Sequence, residues 1–80
     1  MKQLLLYSTS GCHLCEVALQ LIQQNLDAGL YELAVVEISD SDQLVDQYGI
    51  RIPVVAHSDS CAELGWPFDE SEFQSFLASL

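Results

Sequence analysis

Cys12-His13-Leu14-Cys15 is the stretch of this sequence best equipped for chemistry. Residues three apart on a helix share a face, with Cβ atoms roughly 5–6 Å apart. A disulfide places its Cα atoms ~5.5 Å apart, so such a pair can close and reopen with little backbone movement. The two thiols would not be equivalent. A cysteine in the first helical turn meets unpaired backbone N–H groups and the positive end of the helix dipole, both of which stabilise a thiolate. Cys15 lies one turn further in, beside Leu14, which is expected to face the core. This makes Cys12 the attacking thiolate and Cys15 the resolving thiol. His13 either strengthens the thiolate, if protonated or hydrogen-bonding, or stands as an exposed polar residue of that turn.

The same spacing is also half of a zinc site. His57 and Cys61 supply a second pair, so a zinc- or iron–sulfur-binding domain built on Cys12, Cys15 and His57 or Cys61 is the rival reading. It requires two distant pairs to converge, with the second pair spanning a predicted turn. The redox reading needs only the local pair and assigns no metal ligands. A third reading is a redox-gated protein-binding module with little turnover. Outside the metal reading, Cys61 is expected to be a half-buried strand residue behaving as a small hydrophobe.

The elements that would position the thiols follow from hydrophobic period. Gln3 to Tyr7 is a short apolar run ended by Ser-Thr-Ser-Gly, which predicts a buried strand. Leu14, Val17, Ala18, Leu21 and Ile22 then fall on one face of a helix predicted to run to about Asp27, with Gly29 near its end and Ser10 as a candidate cap. Tyr31 to Ile38 is β-rich and apolar on both faces, as in a central strand covered on two sides. Asp40 with Gln43 has capping-box spacing for a second helix that stops at Gly49. Ile52 to Ala56 and Cys61 to Leu64 are strands joined by the polar turn His57 to Ser60. After Gly65-Trp66-Pro67, Asp69 with Glu72 repeats the capping-box spacing, and Phe73, Phe76, Leu77 and Leu80 share a helical face. The order β-α-β-α-β-β-α predicts an α/β domain spanning residues 1–80. Its first two strands should be parallel, its last two antiparallel, and its mixed sheet covered by helices on both faces.

Charge excludes several classes of partner. Twelve Asp and Glu stand against Lys2 and Arg51, a formal net charge of −10 over 80 residues. Nucleic-acid binding requires a basic footprint, and none exists. An anionic membrane surface is disfavoured on the same grounds. The run from Leu4 to Tyr7 is shorter than the ~7–15 apolar residues of a secretory segment, and no stretch approaches the ~20 of a membrane span. The expected location is cytoplasmic, where thiols are kept reduced and a close pair points to catalysis or metal rather than a structural staple. A monomer is expected.

Three stretches carry a resemblance across the whole chain: "YSTSGCHLC" after the first strand, "IRIPVV" further on, and "GWPFD" before the last helix. In these the sequence resembles the small bacterial glutaredoxin-like proteins of the thioredoxin-like superfamily. The resemblance implies a four-stranded mixed sheet flanked by three helices, and a thiol–disulfide oxidoreductase working through a mixed disulfide. It implies a cis bond between Ile52 and Pro53, Pro53 packed beside the cysteines, and an Ile52 backbone able to pair with an extended substrate. The implied partner is a disulfide-containing protein or a small thiol, with no bound cofactor and with glutathione as a candidate co-substrate. Thr9 and Gly65-Trp66-Pro67-Phe68-Asp69 depart from the family's glutathione-binding pattern, which leaves Asp69 to receive a glutathione amine or simply to cap. Arg51 either steers an anionic substrate or pairs with a nearby carboxylate. Trp66 either lines a groove for a partner or packs on the core.

Overall fold

The computed structural model describes residues 2–27, 29–60 and 62–80. Strand β1 (Lys2–Ser8) leads through a turn to helix α1 (His13–Asn25), and strand β2 (Tyr31–Glu37) runs into a 3-10 turn (Ile38–Asp40). Helix α2 (Asp42–Tyr48), strands β3 (Val54–His57) and β4 (Glu63–Gly65), and helix α3 (Glu70–Ala78) complete the order. The four strands form one sheet in the order β2-β1-β3-β4. β1 runs parallel to β2, from Lys2 opposite Tyr31 to Ser8 opposite Glu37. It is antiparallel to β3, with Tyr7 opposite Val54 and Leu4 opposite His57. β4 closes the other side, with Gly65 opposite Val54. This is the α/β thioredoxin-like fold expected from the sequence, a four-stranded mixed sheet flanked by three helices.

Side-chain alternation along β1 feeds two cores, because successive residues of a strand point to opposite faces. Leu4 and Leu6 pack with Ala18, Ile22, Val55, Phe68, Phe73, Phe76 and Leu77, so α1 and α3 cover one face. On the other face, Tyr7 joins Ile38, Tyr48, Val54, Leu44 and Ile52 beneath α2. Helix α3 starts as its residue types require. The Asp69 carboxylate accepts the Glu72 N–H at 2.8 Å, and the Glu72 side chain accepts the Asp69 N–H in return, a complete capping box.

Several local expectations are corrected. β2 is an edge strand with none of its residues buried, and Val35 is 55% exposed. Ala18 and Ile22 are buried as expected, but Leu14 is 50% exposed and Val17 is exposed too, and Cys15 completes the buried stripe of α1. The cap of α1 is Cys12, not Ser10, whose N–H is instead given to Glu37. The cap of α2 is Ser41, since Asp40 is taken up in the preceding 3-10 turn. His57 closes β3 and is buried, its Nδ1 2.8 Å from Ser60 Oγ, rather than lying in an open polar turn. The expected strand start at Cys61 lies outside the described residues. Among the described residues, no helix is long and apolar enough to cross a membrane.

Candidate functional site

The turn after β1 is built to deliver Cys12. Cys12 N–H donates to the Thr9 carbonyl at 3.3 Å, and Gly11 takes φ +80°, a left-handed conformation that costs glycine little. Cys12 is extended at the helix cap, and its sulfur accepts the Cys15 backbone N–H at 3.2 Å. A cap position ordinarily filled by a Ser or Asp oxygen is thus filled by a sulfur. Helix geometry brings the Cys12 and Cys15 Cα atoms to 5.2 Å, and the two sulfurs form a disulfide. Exposure separates them: Cys12 is half-buried at the surface, whereas Cys15 is only 2% exposed. Cys12 is the more accessible of the two.

A recess of about 270 Å³ opens beside the pair, between the start of α1 and the ends of β1 and β2. Glu16 and Glu37 both line it. Glu37 was not among the residues singled out from sequence, yet the parallel register sets it opposite Ser8, at the mouth of the cysteine turn. The Ser39 and Ser10 backbone N–H groups donate to its two oxygens at 3.2 and 2.9 Å. Hydrogen bonds from the Ser39 backbone, the Thr9 side chain and the Ser10 backbone, in that order, hold its carboxyl below the usual carboxylate range.

The remaining residues singled out from sequence sit around the same end of the sheet. Antiparallel pairing of Tyr7 with Val54 sets Pro53 next to the end of β1, and Trp66 N–H donates to the Pro53 carbonyl at 3.0 Å. Pro53 is fully buried, and both Ile52–Pro53 and Trp66–Pro67 are cis. Ile52 is half-buried and gives its N–H to the Tyr48 carbonyl at 3.0 Å. Trp66 packs on the core, edge-on to Phe68 with ring centroids 5.2 Å apart. His13 is exposed, its Nδ1 3.8 Å from Glu16.

Arg51 is committed to a partner. Its guanidinium donates to Glu63 at 2.8 Å and lies 5.2 Å from the Tyr48 ring centroid. The Tyr48 hydroxyl donates to the other Glu63 oxygen at 2.5 Å, and its ring stacks on Tyr7 at 4.1 Å. Burial, followed by the hydrogen bond to Glu63, pushes the Tyr48 phenol well above its ordinary value. The bonds from Tyr48 and then Arg51 hold the Glu63 carboxyl below its own. A lowered folded-state value means that Glu63 adds stability above its unfolded value of ~4.3, and that this is lost as pH falls through the folded value. The gap in urea midpoint between the native protein and Glu63→Gln should therefore be widest at neutral pH and should narrow in acid. A gap that stays constant from pH 7 to pH 3 would contradict this assignment.

His57 does not converge with the cysteines. It pairs with Leu4, four residues from Ser8 along β1, which is about 13 Å of strand. Cys61 lies outside the described residues. Among the described residues, no cluster of three or more His, Cys, Asp or Glu is arranged to hold a metal ion.

Comparison with known proteins agrees with this geometry. A family model described as Glutaredoxin-like domain (DUF836) matches residues 3–78. The X-ray structure of the structural-genomics target protein XcR50 from X. campestris is similar with a TM-score of 0.85 and 32% identity, over 96% of this chain and 97% of that one. The solution structure of the same target gives a TM-score of 0.81 and 34% identity, over 100% and 96%. A structure described as that of a malarial protein is similar in fold alone, with a TM-score of 0.66 at 10% identity over 99% and 96%. No curated protein matches the chain. The family and the closely placed Cys12 and Cys15 both fit a redox function.

Proposed function

Because the chain belongs to the glutaredoxin-like domain family, we propose that it is a thiol–disulfide oxidoreductase in which Cys12 is the nucleophile and Cys15 the resolving thiol. The observation that carries this reading is the Cys12 sulfur at the cap of α1, accepting the Cys15 N–H at 3.2 Å while remaining open to solvent. A hydrogen bond to the charged form and the positive end of a helix both favour thiolate over thiol. In the reduced protein, the Cys12 thiolate attacks one sulfur of a substrate R–S–S–R. A Cys12–S–S–R bond forms, and the expelled R–S⁻ takes a proton from water. The Cys15 thiol then loses its proton to water, attacks Cys12 Sγ and releases the second R–S⁻, which is protonated in turn. The Cys12–Cys15 disulfide remains, two electrons having passed from dithiol to substrate, and an external thiol resets it. Burial of Cys15 favours this order, since it can reach Cys12 but not a bulky substrate.

Pro53 and Ile52 support a docking role beside this chemistry. With the Ile52 N–H already given to Tyr48, an extended substrate strand would pair through the Ile52 carbonyl. His13, Arg51 and Trp66 have weaker claims, being respectively exposed, paired with Glu63, and packed on the core. The metal-binding alternative loses His57 to the far end of β1.

The test is the rate of alkylation of the reduced protein as a function of pH. The Cys12 rate should titrate with an apparent pKa at least one unit below the ~8.5 of a free thiol. A curve superimposable on that of a free cysteine peptide would remove the activated nucleophile from the account.

A further inference from the structure

The recess beside the dithiol is acidic, and this bears on which disulfides reach Cys12. Glu16, in the first turn of α1, and Glu37, at the end of β2, line it together with Cys12. Glu37 is fixed in place by the Ser10 and Ser39 N–H groups rather than free to swing away. The chain has only two Lys or Arg side chains, and neither is at the recess. Arg51 is bonded to Glu63, and Lys2 stands at the opposite end of β1, its Nζ 3.4 Å from the Leu80 carbonyl. Leu6, Leu19 and Val35 supply apolar lining. The formal net charge of −10 adds a field of the same sign around the whole molecule.

We infer that this recess selects cationic disulfides, those carrying an amine or guanidinium within a side chain's length of the sulfur, over anionic ones, with Glu37 and Glu16 as the specificity-determining residues. The inference rests on the oxidoreductase reading above and names its substrate class. The acids do not perform the reaction, and the bonds made and broken are those already written. They raise the local concentration of a positively charged disulfide at Cys12 Sγ and oppose one carrying carboxylates. Oxidised glutathione, with four carboxylates and two ammonium groups, falls on the disfavoured side, whereas cystamine and disulfides flanked by Lys or Arg fall on the favoured side. A cleft lined by one sign of charge alters encounter rates by ~10-fold or more, and salt removes the effect as the screening length falls from ~10 Å at 0.1 M to ~3 Å at 1 M.

The experiment is single-turnover oxidation of the reduced full chain by cystamine, by neutral bis(2-hydroxyethyl) disulfide and by oxidised glutathione. Each rate is divided by that of the same disulfide with β-mercaptoethanol, to remove intrinsic reactivity. At low salt the normalised cystamine rate should exceed that of oxidised glutathione by at least ~10-fold, and the ratio should approach unity at 1 M salt. Glu37→Gln and Glu16→Gln should each lower the normalised cystamine rate by about threefold, the effect of one unit charge at ~6 Å in water, and lower the ratio at least as much. Asp59→Asn, in the turn after β3 at the far end of the sheet, should leave it within experimental error. A ratio near one at low salt, or a preference for oxidised glutathione, overturns the inference while the neutral disulfide keeps the oxidoreductase reading standing. A preference that Asp59→Asn reduces as much as Glu37→Gln also overturns it, because the selecting charge would then be global. No reaction with any of the three disulfides overturns both readings.

Discussion

Cys12→Ser is expected to abolish disulfide reduction to the background rate, while Cys15→Ser should react once and stop as a mixed disulfide. The two variants separate because the proposed mechanism gives the two sulfurs different jobs. A serine hydroxyl cannot form a disulfide, so without Cys12 there is no first bond to make. Loss of fold is an unsuitable explanation for that loss, because serine is among the best residues at a helix cap. Its oxygen can accept the Cys15 N–H now received by sulfur at 3.2 Å. In Cys15→Ser the same backbone N–H remains, so Cys12 keeps that donor and is expected to attack normally. What is missing is the buried thiol that would displace the substrate half. With Cys61 also replaced by Ser, so that no third thiol contributes, intact mass after exposure to a small disulfide should show one bound half-molecule on Cys15→Ser and none on Cys12→Ser. Equal adducts on both variants would show that Cys15 is as reachable as Cys12, against its 2% exposure.

Phe73→Ala is expected to cost about 3–5 kcal/mol, the largest stability loss of any single truncation in this chain. Phe73 is the largest fully buried side chain and stacks on Phe68 with ring centroids 6.1 Å apart. Phe68 in turn meets Trp66 edge-on, and Trp66 is hydrogen-bonded to Pro53. Truncation therefore removes transfer free energy, leaves a cavity between α3 and the sheet, and loosens the aromatic chain leading to the Pro53 loop. Domains of this size have about 0.05–0.15 kcal/mol of stability per residue, so such a loss consumes a large share of the total. Chemical denaturation should show an unfolding free energy lowered by that amount, with Phe73→Leu recovering most of the difference. An unfolding free energy lowered by less than about 1 kcal/mol would mean that the α3 side of the core repacks freely.

The sequence was most legible where its signals are local. Strand, turn, dithiol and helix follow one another within Leu6 to Ile22, and the Asp69–Glu72 capping box depends only on neighbours three apart. Strand order was not legible in the same way. Tyr31 to Ile38 is apolar enough for a central position, yet β2 lies at an edge, since order is fixed by which strands find partners across the chain. On α1 the apolar period marks Ala18 and Ile22 as inward, as they are, but Leu14 and Val17 at the edge of the same apolar arc are exposed and Cys15 takes the remaining buried place. His57 looked like a turn residue, but β3 runs one residue further and buries it against β1. Glu37 was missed for a related reason: only the parallel register of β1 and β2 carries it to the cysteines. An acid at the end of the second strand of a β-α-β unit was the available signal. For Arg51, two readings stood open until Glu63 came within 2.8 Å.

The central claim is that Cys12 and Cys15 form one reversible two-electron couple. Intact-mass analysis after equilibration in graded glutathione buffers tests it most directly. The account predicts a single transition from dithiol to intramolecular disulfide, independent of protein concentration and absent in Cys15→Ser, with little stable glutathione adduct on the native chain. A protein that stays dithiol across the whole range, or that accumulates only glutathione adducts or intermolecular dimers, would contradict it.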